Sequence, residues 1–216
     1  MTTKFKIELP LIPNDLTKGT FEDVIYDEEP YLSNQLITNT SRENDSIERL
    51  FLSKVIFQKV SLINSDFYKI DMTDVIFENC DLSNSKFNEG IIHRVTFKNC
   101  KLLGVDFSGA NLGNVSFEGC MMNLCNFGVA RLKQICFDQS SLRGTSYYDC
   151  QFKKVKFEHC NIDEVDFSDT PLNNVDISTC TFERLNVAIK DLSGCVISSE
   201  QAIGFAELLG LKVKRG

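Results

Sequence analysis

Residues 105–117 read VDFSGANLGNVSF, and the spacing of the apolar residues in this stretch decides the fold. Phe107, Leu112 and Phe117 stand five residues apart. A smaller apolar residue precedes each of them by two positions, as the letters V, A and V in the quoted stretch show. The residues between are Asp, Ser, Gly and Asn, so a five-residue unit with two apolar positions repeats along the chain.

The same spacing extends through most of the chain. Every fifth residue from Leu52 to Ile197 is large and apolar, over 30 consecutive positions. Five residues advance an α-helix by roughly 140°, so a helix would scatter these positions around its surface. A straight strand fails as well, because its side chains alternate between faces with a period of two. The chain must therefore turn once in every five residues, so that each unit again points to a common interior.

A second period, of 20 residues, divides the units among four sides. Side 1 contains Leu52 and each twentieth residue after it, and sides 2, 3 and 4 begin likewise at Phe57, Leu62 and Phe67. Sides 2 and 4 are mainly aromatic, and we expect like residues to stack at the strand spacing of about 4.8 Å. The predicted core stacks contain Phe57, Phe77, Phe97, Phe117, Phe137 and Phe157 on side 2, and Phe67, Phe87, Phe107 and Phe127 on side 4.

This pattern resembles the pentapeptide-repeat family, whose motif is roughly A(D/N)LXX. The strings FSGANLGNVSF and CDLSNSKF are typical of that motif, and the resemblance covers about residues 52–197. It implies an all-β fold, a right-handed quadrilateral β-helix of about 7–9 coils, with the handedness taken from the family. We therefore expect a pentapeptide-repeat solenoid over residues 51–197, closed by a short C-terminal capping α-helix.

The N-terminal end departs from the repeat. Residues 1–50 are predicted to form an irregular segment with degenerate repeats, in a frame one residue off that includes Phe21, Tyr31 and Leu36. The polar run at about residues 37–46, ITNTSRENDS, is predicted to be a projecting loop. The alternative is a hairpin packed on the first coil.

The C-terminal end, residues 198–216, is predicted to be a helical cap. Ser198 and Gln201 have the spacing of a capping box, and Gly210 can end the helix. An open solenoid end exposes apolar stacks and unpaired backbone groups, so the helix should cover the last coil. A further expectation is that it joins two rods into a homodimer. The residues predicted for the cap and the dimer are Ala202, Phe205, Ala206, Leu208 and Leu209.

Composition excludes several classes of protein. The chain has 216 residues and a net charge of −7, the opposite sign to that of a typical nucleic-acid binder. No uncharged stretch reaches the roughly 18 residues of a spanning helix, and the N-terminus lacks a signal-peptide pattern. We therefore expect a cytoplasmic protein that contacts neither membrane nor nucleic acid. The nine cysteines include no CxxC pair, which predicts buried, reduced thiols.

The sequence contains no recognisable catalytic constellation. The two histidines, His93 and His159, occupy outward positions of the repeat and lack a metal-like partner spacing. Neither a phosphate-binding glycine loop nor a nucleophile elbow is present. We therefore expect no enzymatic activity, no metal and no cofactor.

Charge is unevenly distributed over the sides. Side 1 is predicted to be basic, with Arg131, Lys133 and Lys153 among its residues. Side 4 is predicted to be acidic, because it holds six carboxylates against Lys69 and Lys86. These predicted partner-binding residues are Asp66, Glu89, Asp106, Asp149, Asp166 and Asp169. The alternative is that the charges only keep the surface solvated.

Within the family, the chain is similar to the Qnr- and MfpA-type branch that confers quinolone resistance. A long unbroken rod and a single C-terminal helix are the features in common. This resemblance implies a homodimeric rod whose acidic surface imitates duplex DNA, binds DNA gyrase or topoisomerase IV, and protects it from quinolones. The alternative is a generic protein-interaction scaffold with an unrelated partner, using residues 37–46 or the basic side.

Overall fold

The computed structural model describes residues 5–24, 29–208 and 210–212. The chain forms a parallel β-solenoid of about eight coils followed by one α-helix, so the predicted fold class is confirmed. The helical elements are two 3₁₀ helices, Phe21–Val24 and Ile189–Leu192, and α1, Ser199–Leu208. The strands are β1 Thr17–Lys18, β2 Tyr31–Ser33, β3 Gln35–Thr38, β4 Ser41–Glu43, β5 Phe51–Gln58, β6 Ser61–Ile63, β7 Asp71–Glu78, β8 Ile91–Lys98, β9 Asn111–Glu118, β10 Arg131–Asp138, β11 Gln151–Glu158, β12 Val165–Asp166 and β13 Leu185–Asn186.

The ladders of the repeat join residues that are 20 apart, as the second period predicts. Phe57 pairs with Phe77, and Phe137 pairs with Phe157, both in parallel register. The rings on side 2 stack with centroids 4.8–5.0 Å apart, and rings of side 4 meet them edge-on. All ten residues predicted for the core stacks are buried. Apolar burial along the axis of the rod is therefore the main source of stability.

The four sides differ in backbone structure. The long strands β5 and β7–β11 run across sides 1 and 2, whereas sides 3 and 4 contribute mainly single bridges. On sides 3 and 4, an Asp, Asn or Ser often precedes the central apolar residue and accepts a hydrogen bond from the N–H two residues later. Asp106, for example, accepts from the N–H of Ser108 at 2.9 Å. These side-chain turns compete with strand pairing and bend the chain more tightly.

The smaller inward residue of each unit has a second role, as a hydrogen-bond donor. The Cys150 thiol donates to the carbonyl of Phe127 at 3.0 Å, and the Thr145 hydroxyl donates to that of Met122 at 2.8 Å. Each donor lies 23 residues after its acceptor, so it reaches a carbonyl of the preceding coil. Ser, Thr and Cys therefore fill these positions without leaving their polar atoms unpaired. The described cysteines are free thiols.

The prediction of a loop at residues 37–46 is wrong, because this segment belongs to a regular coil. β3 pairs with β5, and β4 pairs with β6. Both pairings are parallel, so the alternative of a hairpin is wrong too. Asn39 and Asn44 turn the chain with φ values of 52° and 59°. Arg42 occupies the place of a central apolar residue, and its side chain donates to the Asp45 carboxylate at 2.6 Å. Because a charged residue stands at this position, the repeat cannot be recognised here from the spacing of apolar residues.

The repeat frame predicted for the N-terminal residues, which includes Tyr31 and Leu36, is also wrong. Leu32 is buried in the frame of the main repeat, whereas Tyr31 is 52% exposed. Phe21 does point inward, as the shifted frame predicts, but it does so from a 3₁₀ helix. Its ring meets those of Phe57 and Phe67 edge-on at 6.2 and 6.1 Å. Phe21 therefore covers the N-terminal end of the aromatic core.

An extended segment, residues 5–13, crosses the outside of the rod, and we call it the strap. Its backbone bonds to side chains along the edge between sides 1 and 2. These bonds join Lys6 to Gln134 at 2.9 Å, Glu8 to Asn114 at 3.1 Å and Leu11 to Asp74 at 2.9 Å. The strap therefore runs against the direction in which the coils advance, a feature that sequence analysis did not anticipate.

α1 closes the C-terminal end with the predicted capping box. The N–H of Gln201 donates to Ser198 Oγ at 3.2 Å, and the N–H of Ser198 donates to Gln201 Oε1 at 2.9 Å. The side-chain amide of Gln201 also donates to the carbonyls of Ile177 and Cys180, at 2.9 and 2.8 Å. The helix thus satisfies backbone acceptors at the open edge of the last coil.

The residues predicted for the cap divide into three groups. Phe205 and Ala206 are half-buried, with Phe205 packed against the core, whereas Ala202 is exposed. Leu209 and the side chain of Leu208 lie outside the described part of the chain. The homodimer stays a prediction.

Among the described residues, no helix is long and apolar enough to cross a membrane.

Candidate functional site

Side 4 holds the six carboxylates predicted to bind a partner, and half of them have a cation beside them. The ion pairs are Lys86–Asp66 at 3.2 Å, Lys69–Glu89 at 3.7 Å and Lys190–Asp169 at 3.0 Å. Exposed pairs of this kind contribute at most about 1 kcal/mol to stability. They do, however, reduce the charge that side 4 presents to a partner.

Among the described residues, none of the other three carboxylates of side 4 forms an ion pair, although Lys86 is the bridge partner of Asp106 on the preceding coil. Asp106 and Asp166 accept hydrogen bonds from the backbone N–H groups of Ser108 and Ser168 at 2.9 and 3.0 Å. Asp149 bonds to no other described residue through its carboxylate. The unpaired charge of side 4 is therefore concentrated at Asp106, Asp149 and Asp166, of which Asp149 is exposed and the other two are half-buried.

Side 2, on the opposite face of the rod, carries a row of carboxylates that sequence analysis did not single out. Glu118, Asp138 and Glu158 are paired in register on β9, β10 and β11. Successive coils place them at the strand spacing of about 4.8 Å, where like charges repel. This row can be predicted from the sequence, because each carboxylate directly follows a Phe of side 2 and the three are 20 residues apart.

Charge counted by side shows one basic and three acidic sides. Over residues 51–197, sides 2, 3 and 4 hold 15 acidic and 8 basic residues. Side 1 holds 3 acidic and 7 basic residues over the same range. A partner that approaches from side 1 therefore meets a field of the opposite sign to that on the rest of the rod.

Three of the seven basic residues of side 1 line a groove of about 660 Å³. Arg131, Lys133 and Lys153 are exposed along it. His93, Gly113 and Lys133 are paired in register on successive coils, and Gly113 leaves a space between the two side chains. A Cβ added at Gly113 would lie 3.1 Å from His93 Nδ1. The groove thus combines an open floor with several cations, an arrangement that suits an anionic partner.

Arg94 also belongs to side 1, but Asp74 neutralises it. Its Nε and Nη2 atoms donate to the two carboxylate oxygens at 2.6 and 2.9 Å, and the Asp74 side chain is 5% exposed. Burial alone would raise the pKa of Asp74. Hydrogen bonds from Arg94 and from the N–H of Leu11 outweigh burial and hold that pKa below its ordinary value. This pair therefore holds the strap on the rod.

Two of the interior thiols, Cys125 and Cys150, are poorly suited to chemistry. Burial raises the pKa of Cys125 and that of Cys150 to about 12, so both are protonated at neutral pH. In the part of the chain that the structure describes, no three His, Cys, Asp or Glu side chains gather as metal ligands do. His93 borders the side 1 groove, and His159 lies at an exposed turn.

Comparison with known families matches more than half of the chain. Residues 51–90 match the family model described as pentapeptide repeats (8 copies), and residues 90–167 match that described as a pentapeptide repeat region. A search of curated proteins finds no match.

Solved structures with a similar fold include a quinolone-resistance protein and a developmental regulator. Trypsin-treated QnrB1, a plasmid-mediated fluoroquinolone resistance protein, is 19% identical with a TM-score of 0.49, covering 87% of this chain and all of its own. Full-length QnrB1 is 15% identical with a TM-score of 0.46, covering 82% of this chain and 100% of its own. HetL, a pentapeptide-repeat protein involved in heterocyst differentiation in the cyanobacterium Nostoc, is 13% identical with a TM-score of 0.39, covering 79% and 90%. At these identities the likeness concerns the fold.

Proposed function

Because this chain belongs to the pentapeptide-repeat family, we propose that it acts by binding and not by catalysis, as a rod that imitates duplex DNA. Its proposed partner is a type II topoisomerase, DNA gyrase or topoisomerase IV. Occupation of the DNA-binding surface would shield that enzyme from quinolones. The class of partner is that of the Qnr and MfpA proteins that the chain resembles.

The observation that carries this proposal is the placement of carboxylates on opposite sides of a rigid rod. Side 4 presents Asp106, Asp149 and Asp166, and side 2 presents its in-register row on β9–β11. In that row, Glu118 and Asp138 form no ion pair among the described residues, and Glu158 is paired with Lys156. Two lines of negative charge along one axis are what a duplex offers a protein. Between residues 31 and 187 the rod has no projecting loop, so contact with an enzyme must use the sides.

Charge alone is too weak to account for tight mimicry. Duplex DNA carries one charge per 1.7 Å, or about 20 over a rod of about 36 Å. Sides 2, 3 and 4 hold 15 acidic and 8 basic residues, a net charge of −7. Electrostatic attraction would steer the rod into a basic groove, and nonpolar contacts must supply the rest of the affinity.

The proposal is tested with a supercoiling assay of DNA gyrase in the presence of ciprofloxacin. The wild-type protein is expected to restore supercoiling, or to inhibit gyrase by competing with DNA. A variant with Asp106, Asp149, Asp166 and Asp169 all changed to Asn keeps the side-chain acceptors of the turns but loses four charges. At about 0.5–1 kcal/mol per exposed pair, it should bind gyrase at least about 30-fold more weakly.

The matched control neutralises side 1 instead, with Arg131, Lys133 and Lys153 changed to Gln. This variant should bind gyrase as the wild type does. Equal binding by the side 4 variant would overturn the proposed use of side 4. Absence of binding by the wild-type protein would overturn the topoisomerase proposal altogether.

A second candidate function, an interaction scaffold with an unrelated partner, is favoured by the groove on side 1. The loop predicted at residues 37–46 as a scaffold's binding surface is a regular coil, so the groove on side 1 is the other predicted surface. A scaffold of this kind would bind an acidic protein partner. In a pull-down the two variants would then behave in the opposite way, with the side 1 variant losing its partner.

A further inference from the structure

Side 4 carries an apolar patch formed by Val129 and Tyr148, which continues on side 3 with Met121 and with Leu124, the residue at the corner between the two sides. The exposed fractions of these side chains are 71%, 54%, 48% and 51%. Gly128 and Tyr148 occupy equivalent places on successive coils, and the N–H of Val129 donates to the carbonyl of Tyr148 at 2.8 Å. The patch therefore spans two adjacent coils and reaches both edges of side 4.

The backbone under the patch is unfavourable for the residues it carries. Each side of the rod ends at a corner position, two residues after the central apolar residue, where φ is positive. Leu124 and Val129 occupy two successive corners, with φ values of 62° and 54°. Left-handed backbone suits Gly and Asn, and it is strained for a bulky residue, above all a β-branched one. Of the 25 non-glycine residues with positive φ in the described ranges, the other 23 are polar or charged.

Packing within the rod does not explain these two side chains, because both are largely exposed. The stack of corners that contains Leu124 shows which residue the fold prefers there, since Asn84 and Asn64 hold the same place two and three coils earlier. The amide of Asn84 donates to Asn64 Oδ1 at 3.0 Å. Leu124 instead lies over Gly144, and a Cβ added at Gly144 would lie 2.9 Å from the Cδ2 atom of Leu124. Two apolar residues are thus kept at strained positions where they face solvent.

The surroundings of the patch indicate what it contacts. Residues 119–130 contain no charge. On side 4, Asp106 stands on the coil before the patch and Asp149 stands next to Tyr148 at the edge of the patch. A nonpolar centre with a charged rim is the usual anatomy of a protein interface, and a few apolar contacts at the centre carry most of its affinity.

We propose that the apolar patch is the contact that fixes the rod on its partner, a protein surface that is apolar at its centre and basic around it. This inference rests on the proposed function and deepens it, because it supplies the nonpolar affinity that the carboxylates of side 4 lack. Strain at the two corners is retained since the exposed side chains are needed for binding.

The test is the double variant Leu124→Asn/Val129→Asn, measured for thermal stability and for affinity to the purified gyrase tetramer. Asn suits left-handed backbone, so the variant should melt at a higher temperature than the wild type while binding gyrase at least tenfold more weakly. A merely structural role for the two side chains would give lower stability and unchanged affinity. Gln139→Asn, at a corner outside the patch, is the matched control for affinity and should leave gyrase binding unchanged.

Tyr148→Ser is a second variant, at a position with ordinary backbone, and it should also weaken binding. The outcomes separate the two proposals. If the wild type binds gyrase and both variants bind it as tightly as the wild type does, the proposed role of the apolar patch is overturned and the proposed function stands. If the wild type does not bind gyrase, the proposed function and the inference are both overturned. A double variant that is less stable than the wild type contradicts the argument from strain.

Discussion

Tyr147 stands in the aromatic stack of side 4 with an unpaired hydroxyl. Its ring is fully buried and stacks on those of Phe127 and Phe167, with centroids 5.0 and 5.4 Å away. The hydroxyl has no hydrogen-bond partner among the residues that the structure describes. Burial raises the pKa of Tyr147 well above its ordinary value, so the group is protonated. We therefore predict that Tyr147→Phe stabilises the protein.

The magnitude follows from the lost desolvation cost. A buried polar group without a partner costs about 1–3 kcal/mol, and Phe keeps every ring contact of Tyr147. A small void replaces the hydroxyl and offsets part of the gain. We expect the free energy of unfolding to rise by about 1–2 kcal/mol, which corresponds to about 2–8 °C in Tm for a chain of this size.

The assay is guanidinium unfolding followed by far-ultraviolet circular dichroism. Tyr148→Phe is the matched control, because that neighbouring side chain is 48% exposed and its change should stay within about 0.5 kcal/mol. A loss of stability in Tyr147→Phe would refute the reasoning, since it would mean that the hydroxyl has a favourable partner in the folded protein.

Three further predictions concern the strap and the core. Arg94→Gln leaves the buried Asp74 carboxylate without its cation, so trypsin should cleave after Lys6 several-fold faster and stability should fall by about 2 kcal/mol. Because the pKa of Asp74 is lowered by folding, the wild type should lose this contribution as the pH falls below about 4, measured by acid unfolding against Asp74→Asn. Phe117→Ala removes a fully buried ring with two stacked and two edge-on neighbours, and should cost about 4 kcal/mol in guanidinium unfolding; a loss under 1 kcal/mol would contradict the packing described.

The repeat could be read from sequence because one geometric rule sets both its periods. A chain that turns every five residues and closes after 20 stacks residue 57 on 77 and 117 on 137, whatever the outward residues are. The coil at residues 37–46 was missed because Arg42 and a polar run replace the apolar pattern by which the rule is recognised. In that coil, backbone pairing and the two Asn corners hold the geometry that apolar residues signal elsewhere.

The features missing from the sequence-based account arise from contacts between distant residues or from backbone conformation. Leu11 and Asp74 are 63 residues apart, and no local pattern announces that a strap will cross the rod there. The apolar character of Leu124 and Val129 is visible in sequence. Only the backbone shows that both occupy strained corners and face solvent. Pairing of Asp66 with Lys86 could have been inferred from the 20-residue period, and it lowers the exposed charge predicted for side 4.

The most direct test of the account is competition between this protein and DNA for gyrase. Labelled duplex DNA is bound to the gyrase tetramer at moderate salt, and unlabelled protein is titrated in while bound DNA is followed by fluorescence anisotropy. The account predicts that the protein displaces the duplex, that added salt weakens this displacement, and that the side 4 Asn variant displaces far less. Gyrase that retains its DNA at saturating protein would contradict the claim that the rod occupies the place of a duplex.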